Sequence, residues 1–512
     1  MTDAVIERSL GIDALFQYTG SGVQLFSGAI FYLIIVRLFD TTLVGAIALF
    51  IAIVGLFNIV FSFGLGTAAK HFTSYNLGKR DYPSVRHTIR KIILLGFILS
   101  ILGFAFLLIT AGPVSILFLH SSQYTTLVRL LSIVILGNIL FGILNGALLG
   151  LQNFRLSAIL NIAIWVAYYF GSILFALFLR NVNTIVFGWI IGISLGVVLE
   201  LIFVLKFISR YQGPGKAPST NYLFAYSMPV LLSSLISYGT AYADRFVVAG
   251  LLNLSELGVY NFALLIVSSI AFISVPFNNI LLPKFSEYFS ESSKEKISQS
   301  VRGSSLLLSS LYTPAALGIG ALSPMILTFL GGKSYEGASS ALLIIMIISS
   351  IFITSNILTQ AIAAIRRTKL FVYSSALALA ANIAFSIILI PKFGLIGAAF
   401  GFSSVYAATF IILYYFARKE NLVKFDMSGL AKVWISSIIM FAVVTAVREI
   451  VQPSLHYSLL TLPAYIMLGV IVYLISARLM KIFSHEDKTM ILSLFPERYS
   501  KIRKVLRYIV LH

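Results

Sequence analysis

Fourteen uninterrupted apolar runs, each about 20–27 residues long, leave this chain very few folds to choose from. A helix advances about 1.5 Å per residue, so about 20 apolar residues carry it across the hydrocarbon core of a bilayer. The runs lie near residues 14–37, 43–67, 88–111, 125–150, 156–179, 184–207, 223–248, 257–283, 303–330, 337–363, 370–390, 395–417, 430–450 and 457–478. An outer-membrane barrel would alternate apolar and polar residues, and these runs are continuous. With 59% hydrophobic and 11% charged residues, the chain lacks the polar surface that a soluble fold needs. The expectation is an all-α polytopic membrane protein with 14 transmembrane helices. The longest polar stretches, 68–87, 208–222, 284–302, 418–429 and the tail from 479, are too short for a soluble domain. The function is therefore expected inside the membrane part.

The formal net charge is +19. In a polytopic protein such an excess gathers on the cytoplasmic side against anionic headgroups, so no nucleic-acid partner is expected. With the N-terminus inside, 30 of the 37 Lys and Arg fall on the inner side. The other 7 are Arg37, Arg129, Arg180, Arg245, Lys333, Lys392 and Arg448. That asymmetry predicts an even number of spans, both termini cytoplasmic, and a multi-pass protein of the cell (cytoplasmic) membrane. No cleavable leader is expected, since the first residues are polar and the first apolar run is already of spanning length. The tail from Leu494 interleaves basic residues with Leu, Ile, Val and Tyr. It suits an amphipathic helix on the cytoplasmic leaflet or, more simply, a basic anchor.

The chain repeats itself. A shift of 213 residues lays RLFDTTLVGAIALFIAIV (37–54) on GLLNLSELGVYNFALLIV (250–267), with Gly45 on Gly258. The same shift sets Phe72 on Phe285 and Tyr75 on Tyr288. Shifts of 214 and 209 match the ends of the fourth and tenth runs, and set Gly188 and Gly192 on Gly397 and Gly401. Six runs are thus repeated by six, and two are appended. An even number of spans per copy makes the repeat parallel, related by an axis along the membrane normal. The expected divisions are a six-helix bundle over 1–207, a cytoplasmic linker over 208–222, and a second bundle over 223–417. Helices 13 and 14 follow over 418–478, then a basic cytoplasmic tail over 479–512. GxxxG spacing at Gly188, Gly192 and Gly196, and at Gly397 and Gly401, predicts close helix packing within each bundle.

Three stretches carry a resemblance: VRLFDTTLVGAIAL (36–49), ADRFVVAGLLNLSELGVYNFA (243–263) and IPKFGLIGAAFG (390–401). With the 6+6+2 arrangement they resemble the Wzx-like polysaccharide and O-antigen flippases of the multidrug/oligosaccharidyl-lipid/polysaccharide exporter superfamily. The resemblance implies two six-helix bundles in an inverted V. It also implies alternating-access transfer of a polyprenyl-phosphate- or pyrophosphate-linked oligosaccharide to the outer leaflet, for surface polysaccharide or glycan assembly. No catalytic residue comes with it.

Such a substrate needs a wet cavity with hydrogen-bonding groups, positive charge for phosphate, and a lateral opening for the lipid. Ionisable residues inside spans mark such places, since each costs about 2.5–3.5 kcal/mol at a helix centre. Few exist: Arg37 ends the first run, Glu200 lies in the sixth, and Asp244 and Arg245 lie in the seventh. The first run has Phe31 and Tyr32 where the repeat would place that pair. Two readings of the pair stand. Either Arg245 faces phosphate while Asp244 is tied to a neighbouring helix, or both snorkel at the outer interface.

Ser233, Ser237 and Asp244 share one helical face, and Ser234, Tyr238, Tyr242 and Arg245 make the adjacent stripe. Gln17, Ser21 and Gln24 in the first run could face them. Asn58 in the second run and Asn261, Asn278 and Asn279 in the eighth are further cavity candidates. At the cytoplasmic mouth Lys70, Arg155, Lys284, Arg366 and Arg367 could receive a phosphate, or serve only as topology signals. Glu200 and Asp244 are the deep carboxylates available for coupling to H+ or Na+.

There is no GxxxxGK[ST], no HExxH and no cysteine, so no cofactor and no metal are expected. The short outer loops are nearly free of carboxylates, which argues against a membrane glycosyltransferase. Two transporter alternatives remain. A drug antiporter of the same superfamily would be expected to have twelve helices and a cavity carboxylate. A lipid II-type cell-wall precursor flippase would be expected to have a more arginine-rich first helix. The expected partners are a lipid-linked oligosaccharide and membrane lipid.

Overall fold

The computed structural model describes residues 2–179, 182–451 and 461–482. Thirteen of its helices are long and apolar enough to cross a membrane. A bent pair, Lys294–Ala321 with Ser323–Gly331, makes fourteen when counted as one span, and the protein is a helical multi-pass membrane protein. The chain forms two compact units, Met1–Gly258 and Val259–His512.

The first unit holds α1 (Thr2–Leu38), α2 (Thr41–Ser62), α3 (Leu65–Gly78), α4 (Tyr82–Leu119), α5 (Thr125–Gly150), α6 (Phe154–Leu179), α7 (Val182–Ile208) and α8 (Thr220–Leu251). The first turn of α9 (Leu254–Ile270) completes it. The second apolar run ends early. Phe63 and Gly64 both take positive φ, which breaks the helix after Ser62 without turning the chain back: along α8, Gly55 meets Tyr238, Gly64 meets Val230 and His71 meets Tyr226. The polar stretch from residue 68 is then a further helix, α3, as far as Gly78. The third run is extended backwards to Tyr82 because Asp81 caps it, its side chain accepting from the Ser84 amide at 3.1 Å, with Pro83 in the first turn.

The glycine spacings do what close packing requires. A Cβ on Gly188 would sit 2.4 Å from the Ser172 backbone, and one on Gly192 would sit 2.5 Å from Tyr168. So α6 and α7 touch backbone to backbone. The repeat-related Gly45 and Gly258 touch each other, and a Cβ on Gly258 would meet the Thr41 carbonyl at 2.1 Å.

The expected second bundle starts at residue 223, whereas the first packing unit runs to Gly258 and includes α8, which packs on α2, α3 and α4. Gly55 admits the Tyr238 ring, Phe63 meets Phe224 edge-on at 5.1 Å, and Phe118 meets Phe246 at 5.6 Å.

The second unit contains the rest of α9, a 3-10 turn at Ala271–Ser274, then α10 (Val275–Ser290), α11 (Lys294–Ala321) and α12 (Ser323–Gly331). It continues with α13 (Ser339–Ile351), α14 (Ser355–Ala364), α15 (Lys369–Phe393), α16 (Leu395–Lys419), α17 (Met427–Val451) and α18 (Thr461–Leu479). The ninth run, expected as one helix over 303–330, is broken. Helices α11 and α12 meet at 69°. Pro324 begins α12 without an amide to donate, and Arg448 of α17 donates to the Ala321 carbonyl that ends α11. A break in a span needs such a partner, because lipid offers none. The appended helices seal the bend: Met440, Val444 and Tyr465 pack on Leu317, Leu322 and Met325. In α15 and α16 the second glycine pair repeats the α6–α7 packing, since a Cβ on Gly397 would lie 2.4 Å from Leu389. The basic tail beyond residue 482 and Arg180 lie outside the described residues.

Candidate functional site

Midway along α8 the polar face opens. Ser233, Ser237 and Ala241, spaced one turn apart, are exposed. With Ser234, Tyr238, Val230 and Ile59 of α2 they line an open cleft of about 500 Å3. Hydroxyls at four-residue spacing on a spanning helix would be costly against lipid, so this face suits water or a polar ligand. Ser233 gives its proton to the Pro229 carbonyl at 2.5 Å, which leaves its lone pairs facing outward as acceptors.

One edge of the cleft is rigid. The Tyr238 hydroxyl donates to the Ala52 carbonyl at 2.6 Å. Its ring stacks on Tyr242, with centroids 4.5 Å apart and an interplanar angle of 11°. The Arg245 guanidinium lies 4.3 Å from the Tyr242 centroid and donates to the Ala241 carbonyl. Ring, ring and guanidinium thus form one continuous stack along α8.

Helical spacing put Asp244 on the face of Ser233 and Ser237, but the cover changes along the helix. Asp244 is 0% exposed, and Arg245 keeps 14% of its side-chain exposure, with Nη1 3.9 Å from Asp244 Oδ1. Neither side chain reaches out as a snorkelling anchor does.

The other cavity candidates are dispersed. Gln17 donates to the Phe154 carbonyl at 2.7 Å and so ties α1 to α6. Ser21 is exposed and Gln24 half-buried on α1, Arg37 is exposed at its end, and Asn58 is half-buried on α2. In the second unit Asn261 is half-buried, and Asn278 accepts from Gln360 at 3.2 Å, linking α10 to α14.

Three of the five basic candidates are already paired. Arg155 holds Asp13 at 2.7 Å, Lys284 holds Glu287 at 3.0 Å, and Arg367 pairs with Glu420. Lys70 and Arg366 are exposed, and among the described residues neither makes an ion pair. Beside Lys70, His71 stacks on Tyr226 of α8 at 4.7 Å.

The apolar walls of the cleft, Ile59, Val230 and Ala241, carry no signal in the sequence that separates them from lipid-facing residues. Among the described residues no group of three or more His, Cys, Asp or Glu could hold a metal ion.

The family described as "Polysaccharide biosynthesis protein" matches residues 34–340. The "Probable low-salt glycan biosynthesis flippase Agl15" of Haloferax volcanii is 24% identical over 281 residues, 54% of this chain and 58% of that protein. The match therefore spans under two thirds of that relative's length. Among solved structures, a lipid II flippase MurJ in an inward closed conformation superposes with a TM-score of 0.71 at 16% identity. It covers 91% of this chain and 98% of its own. An inward-facing multidrug resistance MATE family transporter of the MOP superfamily gives 0.62 at 14% identity, over 80% of this chain and 96% of its own. The fold is that of these transporters.

Proposed function

The chain belongs to the polysaccharide biosynthesis protein family, and from that premise we propose that it is a lipid-linked sugar flippase. It moves a polyprenyl-(pyro)phosphate-linked oligosaccharide from the cytoplasmic to the outer leaflet by alternating access, for surface polysaccharide or glycan assembly. The relative from Haloferax volcanii supports the reading by its name. The observation that carries it is the open face of α8, a cleft in which serine hydroxyls stand among apolar side chains on a helix of spanning length.

The chemistry follows from the cleft. Ser233, Ser234 and Ser237 exchange hydrogen bonds with sugar hydroxyls. Ile59 and Val230 exclude water around the headgroup. Arg245, held by its stack on Tyr242, offers the charge for phosphate. Both termini face the cytoplasm, and the two repeats, 1–207 and 223–417, rock about the substrate. A gradient of H+ or Na+ drives the cycle.

Complementation tests this directly. In a strain lacking its flippase and accumulating a lipid-linked glycan, expression of this chain should clear the intermediate. If no such intermediate is ever relieved while a tracer drug is extruded, the flippase reading fails in favour of a drug antiporter. Rescue restricted to a strain lacking its lipid II flippase would assign the cell-wall precursor instead.

A further inference from the structure

We propose that Glu200 of α7, together with Asn145 of α5 and Ser157 and Asn161 of α6, forms a monovalent-cation site inside the first unit, taking H+ or Na+. The proposal rests on the transporter reading for the use made of the cation. The binding itself is measurable without any lipid substrate.

Glu200 is 0% exposed within a span. Its Oε1 accepts one hydrogen bond, from Asn145 Nδ2 at 2.8 Å. The same amide reaches Ser157 Oγ at 3.1 Å, and Asn161 Nδ2 donates to the Ser157 carbonyl at 2.8 Å. Glu200 Oε2 is buried and has no hydrogen-bond partner, and among the described residues the carboxyl makes no ion pair.

The charged groups on α7 and on the helices packed against it are accounted for. On α5, Arg129 lies 16 residues from Asn145, about 24 Å along the helix. On α6, Arg155 is held by Asp13 of α1. On α7 itself Lys206 is exposed, about 9 Å further along. The tyrosines of α6, Tyr168 and Tyr169, lie more than two turns beyond Ser157.

A carboxylate in such a place needs a positive partner or must be neutralised, because one neutral donor does not replace its hydration. Asp244, the other deep carboxylate, has Arg245 beside it; among the described residues Glu200 has no such neighbour. A cation supplies what the helices do not. H+ adds to Oε2 and leaves a neutral acid. Na+ at Oε2 requires the Asn145 and Asn161 amides, which now present Nδ2 to Glu200 and Ser157, to turn their oxygens inward; with Ser157 Oγ they then make an all-oxygen set suited to a hard ion. Asn145 and Asn161 are only half-buried, so the polar cluster extends from the closed carboxyl towards the edge of the bundle. Occupancy removes a buried charge between α5, α6 and α7 and so favours their close packing. Release favours a state in which the carboxylate is wet. Cation and conformation are thereby linked.

The test uses the purified full chain in lipid nanodiscs. Radiolabelled Na+ binding reads one arm. The other is the carboxylic C=O band of a protonated side chain in infrared difference spectra across a pH step. Wild type should show a saturable Na+ signal or a carboxylic band that disappears at high pH. Glu200→Gln, which keeps the shape and the bond from Asn145, should lose whichever signal is present. Ser157→Ala should weaken the Na+ signal and leave the band. Identical signals in wild type and Glu200→Gln overturn the proposal. So does the absence of both in wild type, which decides the matter even if the variant fails to fold. Cation binding that survives a failed complementation would sink the flippase reading and leave this one standing.

Discussion

Two polar places in the spanning helices of the first unit are built in opposite ways. On α8 the hydroxyls of Ser233 and Ser237 are open, beside the Tyr238–Tyr242–Arg245 stack. On α7 the Glu200 carboxyl is closed in, 0% exposed, with Asn145 of α5 as its donor. An open polar face exchanges its partners with solvent, so it can hold a large ligand and let it go. A closed one changes only with a small ion, since nothing larger fits without separating the helices.

The largest effect expected comes from the tight α6–α7 packing, about 12 Å along α7 from Glu200. Gly192→Leu drives a side chain into the Tyr168 backbone, 2.5 Å from the new Cβ, and should cost about 1–3 kcal/mol or more. Thermal unfolding in detergent reads it. Ala241→Leu on the open face has room and should leave the melting temperature nearly unchanged. An equal loss in both would erase the distinction.

Next comes charge at the open site. Arg245→Ala should insert normally yet lose transport by about 10–100-fold, the worth of one charged hydrogen bond of about 1.5–3 kcal/mol. Glycan-intermediate accumulation measures it. Wild-type transport would remove Arg245 from the site.

Tyr238→Phe is milder. It removes the bond to the Ala52 carbonyl and should cost about 1 kcal/mol. The stack on Tyr242 persists, so stability should fall more than transport does. A chemical-denaturation midpoint compared with a transport rate decides this.

The smallest effect lies outside the membrane, at an ionic cluster that water screens. Glu420 accepts from Lys294 at 3.0 Å and pairs with Arg367. The Lys294 hydrogen bond above all, with the Arg367 charge, holds its carboxyl below the usual 4.5. A depressed carboxylate contributes stability that is present above that usual value and is lost as pH falls through the folded-state one. Melting of wild type and Glu420→Gln should therefore differ slightly at neutral pH and converge in acid. A gap that widens in acid would reverse the sign.

Much of the architecture was legible from residue order. The apolar runs marked the spans, and the GxxxG glycines marked the α6–α7 and α15–α16 contacts. The broken ninth span left a trace in Pro324, but the Arg448 bond that makes the break tolerable joins residues 127 apart. Charge counting treated Arg155, Lys284 and Arg367 like Lys70 and Arg366, which make no ion pair among the described residues. It could not show their carboxylate partners, since Asp13 lies 142 residues before Arg155. Helical spacing put Asp244 with Ser233 and Ser237, correct in angle yet silent about what covers each turn. Glu200 stood out as an ionisable residue in a span, whereas Asn145, Ser157 and Asn161 become its neighbours only through packing.

Sequence alone determined that this chain lives in a membrane and how many times its apolar runs can cross it. Those properties follow from hydrophobic length and periodicity, which are local. Tertiary structure decided which polar groups are wet and which are dry, that α8 packs with the first unit, and that α17 mends the break in the ninth span. Those outcomes depend on what lies across from each residue. Desolvation is set by neighbours distant in the chain, and no spacing rule encodes them.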